Sequence, residues 1–224
     1  VNNGQIDRFN NGYSNKSNSY AGGIIGAIGR RHMTTIEGYV TVTVKDCRNT
    51  AQIIFNQFAG FDTFNETSTD ISFTGGIGGL SNADNGNVEI VCCENSGDIL
   101  STSGQHGGII GFMRAGTVVR GEKTADGIRY TVNTGNVCDH DPSANGLAGS
   151  GYCIAGGITG YLRGNSSIEY AYNTGCVSGS VNKGTEPCAG GIVGKYITDK
   201  ALRYSKNSGN IRNYSKGTNA LQNC

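Results

Sequence analysis

The sequence PCAGGIVGKY, residues 187–196, places two adjacent glycines, two β-branched residues and a third glycine in a row. This composition argues against a helix, because each interior glycine costs about 1 kcal/mol relative to alanine. Similar stretches occur at four earlier places: YAGGIIGAI (20–28), FTGGIGGL (73–80), QHGGIIGF (105–112) and CIAGGITGYL (153–162). The glycine block therefore belongs to a repeat, which must be defined before any single motif is interpreted.

A second motif follows each glycine block. It is an asparagine with an aliphatic residue four positions later and, in all copies but one, a glycine two positions later. The asparagines are Asn2, Asn49, Asn95, Asn133, Asn173 and Asn207. The last two lie 34 residues apart, whereas the earlier spacings vary. A unit of about 34 residues with insertions in its loops explains this variation.

Each unit contains three short apolar stretches of strand length, for example residues 155–162, 167–172 and 176–181. Aliphatic residues recur four positions after the asparagine, at Ile6, Ile53, Ile99, Val137, Val177 and Ile211. They also recur five positions before it, at Val44, Ile90, Ile128, Ile168, Leu202 and Leu221. Such columns face inward, because stacked coils bury a core that no single repeat can form alone. The sequence therefore predicts an all-β protein: a parallel β-helix (β-solenoid) with about six three-stranded coils and long loop insertions.

The recurring glycines have a predicted structural role. Glycine two positions after the asparagine is expected at a left-handed turn, where positive φ costs it little: Gly4, Gly97, Gly135, Gly175 and Gly209. Ala51 replaces glycine in this column, which predicts a distorted corner there. The double glycine is expected at a corner or where one backbone closely approaches another.

The alternation of AGGIVG with I-x-Y-x-x-N-T-G-x-V resembles the GLUG-motif repeats found in tandem on bacterial surface and secreted proteins, including regions beside some immunoglobulin A peptidases. The resemblance covers essentially the whole chain and implies a tandem-repeat architecture. It does not imply an activity, because these repeats are attached to varied neighbours. The chain contains no zinc-binding His-Glu-x-x-His motif, so the resemblance does not imply a peptidase.

Two polar or aromatic columns are candidates for function. The six asparagines are expected to stack as a ladder of side-chain amides that hydrogen-bond from coil to coil, a structural role. Tyr130, Tyr170 and Tyr204 each lie three positions before an asparagine. They either cover the solenoid wall or, if exposed, form a stripe on which sugar rings stack.

Eight cysteines favour an oxidising compartment, and the absence of a Cys-x-x-Cys pair argues against zinc. Cys138 and Cys153 flank a loop, and Cys176 and Cys188 flank the loop expected to be its equivalent one coil later, so both pairs are predicted disulfides. Buried free thiols are the alternative. Cys47, Cys93 and Cys224 share the column two positions before the asparagine, which allows either a Cys47–Cys93 bridge or a Cys224–Cys47 bridge between copies. The pairing of Cys92 stays open.

The sequence shows no catalytic or metal-binding constellation. The histidines, His32, His106 and His140, lie in different units, and the tract of Asp139, His140 and Asp141 is interpreted as a solvated loop. Asp98 has no acidic neighbour in its column, so the paired carboxylates that polysaccharide-cleaving enzymes use are not apparent. We therefore expect no enzyme activity and no cofactor.

Loops supply the remaining candidate sites. Four Asn-x-Ser/Thr sequons occur, at Asn15, Asn65, Asn165 and Asn213. The insertion at residues 58–70 contains Phe58, Phe61 and Phe64 and is the best candidate for contact with a partner, or else a flap over the wall.

These observations predict a single β-solenoid domain spanning residues 1–224, a segment of a longer array or a subunit of a filament. Residues 220–224 followed by residues 1–6 align without a gap on residues 201–211, which predicts that copies join head to tail.

The expected function is that of an extracellular or cell-surface structural or adhesive repeat protein. A carbohydrate-binding module and a polysaccharide-degrading enzyme are the alternatives. Surface glycans or host proteins are further candidate partners. The net charge of +1 gives no electrostatic reason to bind nucleic acid, and no apolar run is long enough to span a membrane.

Overall fold

A computed structural model describes residues 1–4, 6–10, 19–30, 40–57, 72–83, 86–101, 104–139, 153–181 and 188–215. Within these ranges the chain consists of strands and turns and contains no helix. It passes through five coils and then enters a sixth. The prediction of an all-β parallel β-helix is confirmed.

The strands succeed one another coil by coil. The first coil contains β1 (Ile6–Asn10), β2 (Ser19–Gly22), β3 (Ile25–Arg30), β4 (Val40–Lys45) and β5 (Arg48–Asn49). The second contains β6 (Ile53–Gln57), β7 (Ser72–Gly75), β8 (Gly78–Ala83), β9 (Gly86–Val91) and β10 (Glu94–Asn95). The third contains β11 (Ile99–Ser101), β12 (Gly104–Gly107), β13 (Ile110–Met113), β14 (Thr117–Arg120), β15 (Glu122–Thr124), β16 (Gly127–Arg129) and β17 (Thr131–Asn133). The fourth contains β18 (Val137–Asp139), β19 (Cys153–Gly156), β20 (Thr159–Gly164), β21 (Ser167–Glu169) and β22 (Ala171–Asn173). The fifth contains β23 (Val177–Val181), β24 (Cys188–Gly190), β25 (Val193–Thr198), β26 (Leu202–Arg203) and β27 (Lys206–Asn207), and β28 (Ile211–Ser215) begins the sixth.

Equivalent strands of successive coils pair in parallel and form five sheets that run the length of the stack. Sheet one is β1-β6-β11-β18-β23-β28, sheet two is β2-β7-β12-β19-β24, and sheet three is β3-β8-β13-β20-β25. Sheet four is β4-β9-β14-β21-β26, and sheet five is β5-β10-β17-β22-β27. Each complete coil therefore contributes five strands to these sheets where the sequence suggested three, and the third coil also contains the β15–β16 hairpin. The double glycine divides one apolar stretch into the sheet-two and sheet-three strands, and a corner separates sheets four and five.

The aliphatic columns form the core. Residues four positions after the asparagine align across all of sheet one, and Ile53, Ile99, Val137 and Val177 are fully buried. In the second column Val119 aligns with Ile90 and Ile168, whereas Ile128 is 41% exposed, so its assignment to the core was wrong. The reason is the β15–β16 hairpin, which is inserted between Val119 and Asn133 and shifts the count. Leu221 lies outside the described residues.

The hairpin is held against the first coil by two ion pairs. Lys45 Nζ contacts Glu122 Oε1 at 2.7 Å, and Arg129 contacts Asp46 Oδ1 at 2.8 Å. These pairs are half-exposed, and each such pair typically contributes well under 1 kcal/mol. The hairpin thereby covers the lower part of the corner between sheets four and five.

The glycines two positions after the asparagine have a different role from the one predicted. None of the five has a φ in the left-handed region. Instead, a Cβ atom at Gly97 would overlap the carbonyl oxygen of Ala51, and one at Gly135 would overlap the carbonyl oxygen of Gly97. Glycine is required at Gly97, Gly135, Gly175 and Gly209 because the corner backbone of the preceding coil approaches too closely for any side chain. The predicted distortion at Ala51 was also wrong, because Asn49 donates to the Ala51 carbonyl at 2.8 Å just as Asn95 does to that of Gly97.

The left-handed corner lies elsewhere, three positions before the asparagine. Asp46, Cys92, Tyr170 and Tyr204 have φ between 49° and 57°. Left-handed backbone is uncommon for residues other than glycine and costs on the order of 1–3 kcal/mol for a bulky side chain. Two tyrosines therefore occupy a backbone conformation that does not favour them.

Candidate functional site

The six asparagines form one continuous ladder. Each Nδ2 donates to the Oδ1 of the next asparagine at 2.7–2.9 Å, from Asn2 through to Asn207. From Asn49 onward each Nδ2 also donates to the backbone carbonyl two residues later in its own coil. The central members are buried, and these bonds give both the Nδ2 and the Oδ1 of each amide a hydrogen-bond partner. The ladder is thus a structural element and is not available to bind a ligand.

The double-glycine block is coupled to the ladder. A Cβ atom on its second glycine would overlap the asparagine side chain at the end of the same coil, as seen for Gly76 with Asn95 and for Gly157 with Asn173. This contact lies between the two apolar clusters, one beside sheets one and two and one beside sheets three to five. The two sequence motifs therefore meet across the interior of every coil.

The predicted tyrosine column is only partly assembled. The rings of Tyr170 and Tyr204 stack, with centroids 4.9 Å apart and planes 11° apart. Tyr130 does not continue that stack, because the hairpin is inserted directly before it. Its ring instead meets that of Tyr172, with centroids 6.2 Å apart. Tyr204 is 68% exposed, the most exposed aromatic side chain in the described part of the molecule.

We define the end coil as residues 188–215. Two of its lysines lie over aromatic rings of the preceding coils. Lys206 Nζ lies 4.3 Å from the ring centroid of Tyr172 and 4.7 Å from that of Tyr130. Lys195 Nζ lies 5.5 Å from the Tyr161 ring, which ends the stack of Tyr20, Phe73, Phe112 and Tyr161. Tyr172 and Lys206 were not among the residues predicted from the sequence. The sequence feature that could have identified them is their position, since each lies directly before an asparagine of the ladder and its side chain must point to the opposite face of the strand.

The cysteines do not occupy equivalent columns. Cys138 aligns with Ser178 and Cys153 with Gly104, whereas Cys176 precedes Val177 and Cys188 aligns with Ile154. The prediction of equivalent placement was therefore wrong. Cys176 is a free thiol, so the structure does not contain a Cys176–Cys188 bridge. The side chain of Cys138 lies outside what the structure describes, and Cys138–Cys153 stays a prediction.

Cys47 and Cys93 lie one above the other, directly before the paired strands β5 and β10, and both are thiols. The structure therefore lacks a Cys47–Cys93 bridge. Cys93 Sγ donates to the carbonyls of Val44 and Val91, and burial raises the pKa of its thiol to about 11. Burial also raises the pKa of the Cys92 thiol, whose Sγ donates to the Arg129 carbonyl at 3.6 Å. Cys224 lies outside the described residues.

The histidines and acidic residues are not brought together. His106 is buried in sheet two, between Thr74 and Ala155 of the adjacent coils. Asp98 accepts a hydrogen bond from the Asn136 backbone N–H at 2.8 Å, which is a structural role. His32, His140 and Asp141 lie outside the described residues, as does the side chain of Asp139. A search of the described part of the chain finds no group of three or more His, Cys, Asp or Glu residues able to hold a metal ion.

The loop candidates are mostly outside the described residues: Asn15, Asn65, Phe58, Phe61 and Phe64, together with the side chain of Asn213. Asn165 is exposed on the turn after β20, and its Oδ1 accepts a hydrogen bond from the Gly116 backbone N–H.

Comparison with protein-family models, curated proteins and solved structures found no match. Among the described residues there is no helix that could cross a membrane.

Proposed function

We propose that the chain is an extracellular structural or adhesive solenoid whose copies join head to tail. The observation that carries the proposal is the polarity of the asparagine ladder. In the inner coils each asparagine donates to the coil after it and accepts from the coil before it. At the two ends of the described stack, one donor and one acceptor of this ladder are left over.

The end coil presents the donor. Asn207 Nδ2 donates to the Gly209 carbonyl, and no asparagine lies above it among the described residues. At the other end, the one hydrogen bond that Asn2 Oδ1 accepts within the described part of the chain is from the N–H of Gly4, at 3.2 Å. A second copy placed above Asn207 with its own Asn2 in the ladder would satisfy both groups.

The apolar surface supports the same arrangement. Four of the six large hydrophobic side chains that are exposed in the described residues belong to the end coil: Tyr196, Ile197, Leu202 and Tyr204. Leu202 continues the column of Ile168, which is fully buried once a coil covers it. An uncovered solenoid edge also exposes unpaired strands, which favours pairing with another chain. Such a contact is heterologous and propagates as a fibre unless rotation closes it.

Ion pairing in the described residues supports a structural role over catalysis. Glu89, Glu94, Glu122 and Glu169 each contact an arginine or lysine on the solenoid wall. The extracellular location rests on the resemblance to tandem repeats of bacterial surface proteins.

Sedimentation velocity and electron microscopy over a range of protein concentrations test the proposal. We expect filaments whose subunits repeat along the solenoid axis. Asn207→Asp removes the free amide donor and should abolish assembly, whereas Asn87→Asp, the same charge change on the outer wall of sheet four, should not. A wild-type protein that stays monomeric at every concentration, or filaments that Asn207→Asp leaves intact, would contradict the proposal.

A further inference from the structure

A patch at the corner between sheets four and five has features that coil stacking does not require. We call it the corner patch and define it as Tyr170, Tyr172, Arg203, Tyr204 and Lys206. Arg203 ends β26 and Lys206 begins β27, so the exposed Tyr204 lies between two cationic residues along the chain at this corner. The coil below contributes the half-buried rings of Tyr170 and Tyr172.

The backbone at this corner favours small residues, yet it carries tyrosines. Tyr170 and Tyr204 have φ of 50° and 49°, a region that glycine or asparagine occupies at lower cost. Two adjacent coils thus accept strain to project large aromatic rings from an exposed corner. An observed outlier of this kind is grounds for a functional hypothesis. The pair is also preorganised, because the Tyr170 ring supports the Tyr204 ring by stacking.

Charge is distributed unevenly along the solenoid. Residues 188–224 contain six Lys or Arg and one Asp or Glu, whereas residues 50–187 contain six and thirteen. Arg203, Tyr204 and Lys206 of the corner patch lie in the basic segment. Arg203 is 61% exposed and meets its nearest carboxylate, that of Glu169, only at 4.0 Å, so most of its guanidinium N–H groups face solvent. Lys206 is likewise exposed, and its ammonium group carries three N–H donors. Its contacts with the Tyr172 and Tyr130 rings are cation–π contacts, which involve no hydrogen-bond acceptor.

We propose that the corner patch binds acidic saccharides. A pyranose ring stacks on the open face of Tyr204, continuing the Tyr170–Tyr204 stack by one level. Its carboxylate or sulfate group accepts hydrogen bonds from Arg203 and Lys206 on either side. Arginine suits planar anions, because its fixed fork of donors matches their oxygens. The aromatic face favours a sugar ring, and the two cations favour an anionic group. Both features together therefore specify an acidic saccharide.

This inference goes beyond head-to-tail assembly and does not depend on it. An added coil and a saccharide would both cover the Tyr204 ring, so binding is measured on monomeric protein, with light scattering recorded in the same samples. Loss of assembly is then read from scattering, and loss of saccharide binding is read from calorimetry.

Isothermal titration calorimetry with oligogalacturonate and with a sulfated heparin oligosaccharide tests the proposal. A neutral oligogalactose and a polyglutamate peptide serve as ligand controls. We expect at least one acidic saccharide to bind, with weaker binding at high salt because the cations are exposed. We expect no comparable binding of the neutral sugar or the peptide. Which acidic ligand binds distinguishes a carboxylated from a sulfated partner.

Variants assign the binding to the corner patch. Tyr204→Ala should weaken binding about tenfold, as expected for the loss of a stacked ring. Tyr204→Phe, which keeps the ring, should bind within about twofold of wild type. Arg203→Gln and Lys206→Gln should each weaken binding of the acidic sugars. Tyr196→Ala and Lys123→Gln, exposed residues outside the corner patch, should have no effect on saccharide binding.

Four results would overturn the proposal: no binding of either acidic saccharide, equal binding of polyglutamate, equal binding of the neutral sugar, or full binding by Tyr204→Ala. The unfolding midpoint of each variant is recorded alongside. If Tyr204→Ala proves unstable, the comparison of Arg203→Gln with Lys123→Gln decides, since both side chains are exposed and charged.

Discussion

A Cβ atom at Gly108 would overlap the side-chain amide of Asn133, which lies at the far end of the same coil. The same relationship joins Gly23 to Asn49 and Gly191 to Asn207. The close approach lets one ladder of amides run between two apolar clusters without a gap. Each coil is thereby held together by this contact across its interior as well as by the strand pairing along its wall.

Gly108→Ala should destabilise the protein by about 1–3 kcal/mol, because the added methyl group must displace a buried, hydrogen-bonded amide and would also overlap the Gly157 carbonyl oxygen of the next coil. Urea unfolding followed by circular dichroism measures the change. In an Asn133→Ala background the same substitution should cost less, since the overlapping amide is gone and only the overlap with the Gly157 carbonyl oxygen remains. Additive effects of the two changes would show that the contact is not coupled.

Gly135→Ala should also be strongly destabilising, because its Cβ would overlap the Gly97 carbonyl of the preceding coil. Gly4 occupies the same motif position, but the nearest atom to a Cβ there is Asn2 Oδ1 at 3.9 Å. We therefore expect Gly4→Ala to change the unfolding midpoint little. Equal effects of the two substitutions would argue against backbone approach as the reason for glycine in this column.

Asn133→Ala removes one member of the buried ladder. It leaves the Asn95 amide without its acceptor and the Asn173 oxygen without its donor, both away from water. Each unmet buried group costs about 1–3 kcal/mol. Asn2→Ala removes a half-buried end member that donates to Asn49 alone, so its effect on the urea midpoint should be several times smaller.

Stability should fall between about pH 9 and pH 11 because of Cys93. Burial raises the pKa of its thiol in the folded state from 9.0 to about 11, so over this range the unfolded chain releases a proton that the folded chain keeps. The unfolded state then binds fewer protons, and the free energy of unfolding decreases as pH rises. Cys93→Ala should flatten this part of the pH profile. An unchanged slope would indicate that the Cys93 thiol titrates normally.

Alkylation of the native protein under non-reducing conditions, followed by peptide mapping, should distinguish the thiols by burial. The half-exposed Cys176 should be labelled readily, whereas Cys93, fully buried and with a raised pKa, should react only on unfolding. Recovery of a Cys176–Cys188 disulfide peptide would contradict the free Cys176 thiol of the structure. Rapid labelling of Cys93 at neutral pH would show that the core around it opens.

The fold was readable in the sequence because a solenoid repeats its environment. Each aliphatic residue four positions after an asparagine has the same neighbours above and below, so one register serves all of sheet one. The asparagine ladder follows from the same periodicity. Ile128 was misplaced because the β15–β16 hairpin obeys no repeat, and counting residues from Asn133 cannot detect where an insertion begins.

What the sequence determined is therefore the set of columns: which residues recur, and hence which stack. It did not determine why each recurs. Gly97 and Tyr204 show the difference. The glycine column that contains Gly97 suggested a left-handed turn, but the backbone makes that turn in the column that contains Tyr204, three positions before the asparagine. Steric overlap between coils, the path of the corner and the placement of Lys206 over two rings depend on atoms that are distant along the chain. Only the stacked structure brings those atoms together, because residues of adjacent coils become neighbours when the strands of one coil pair with those of the next.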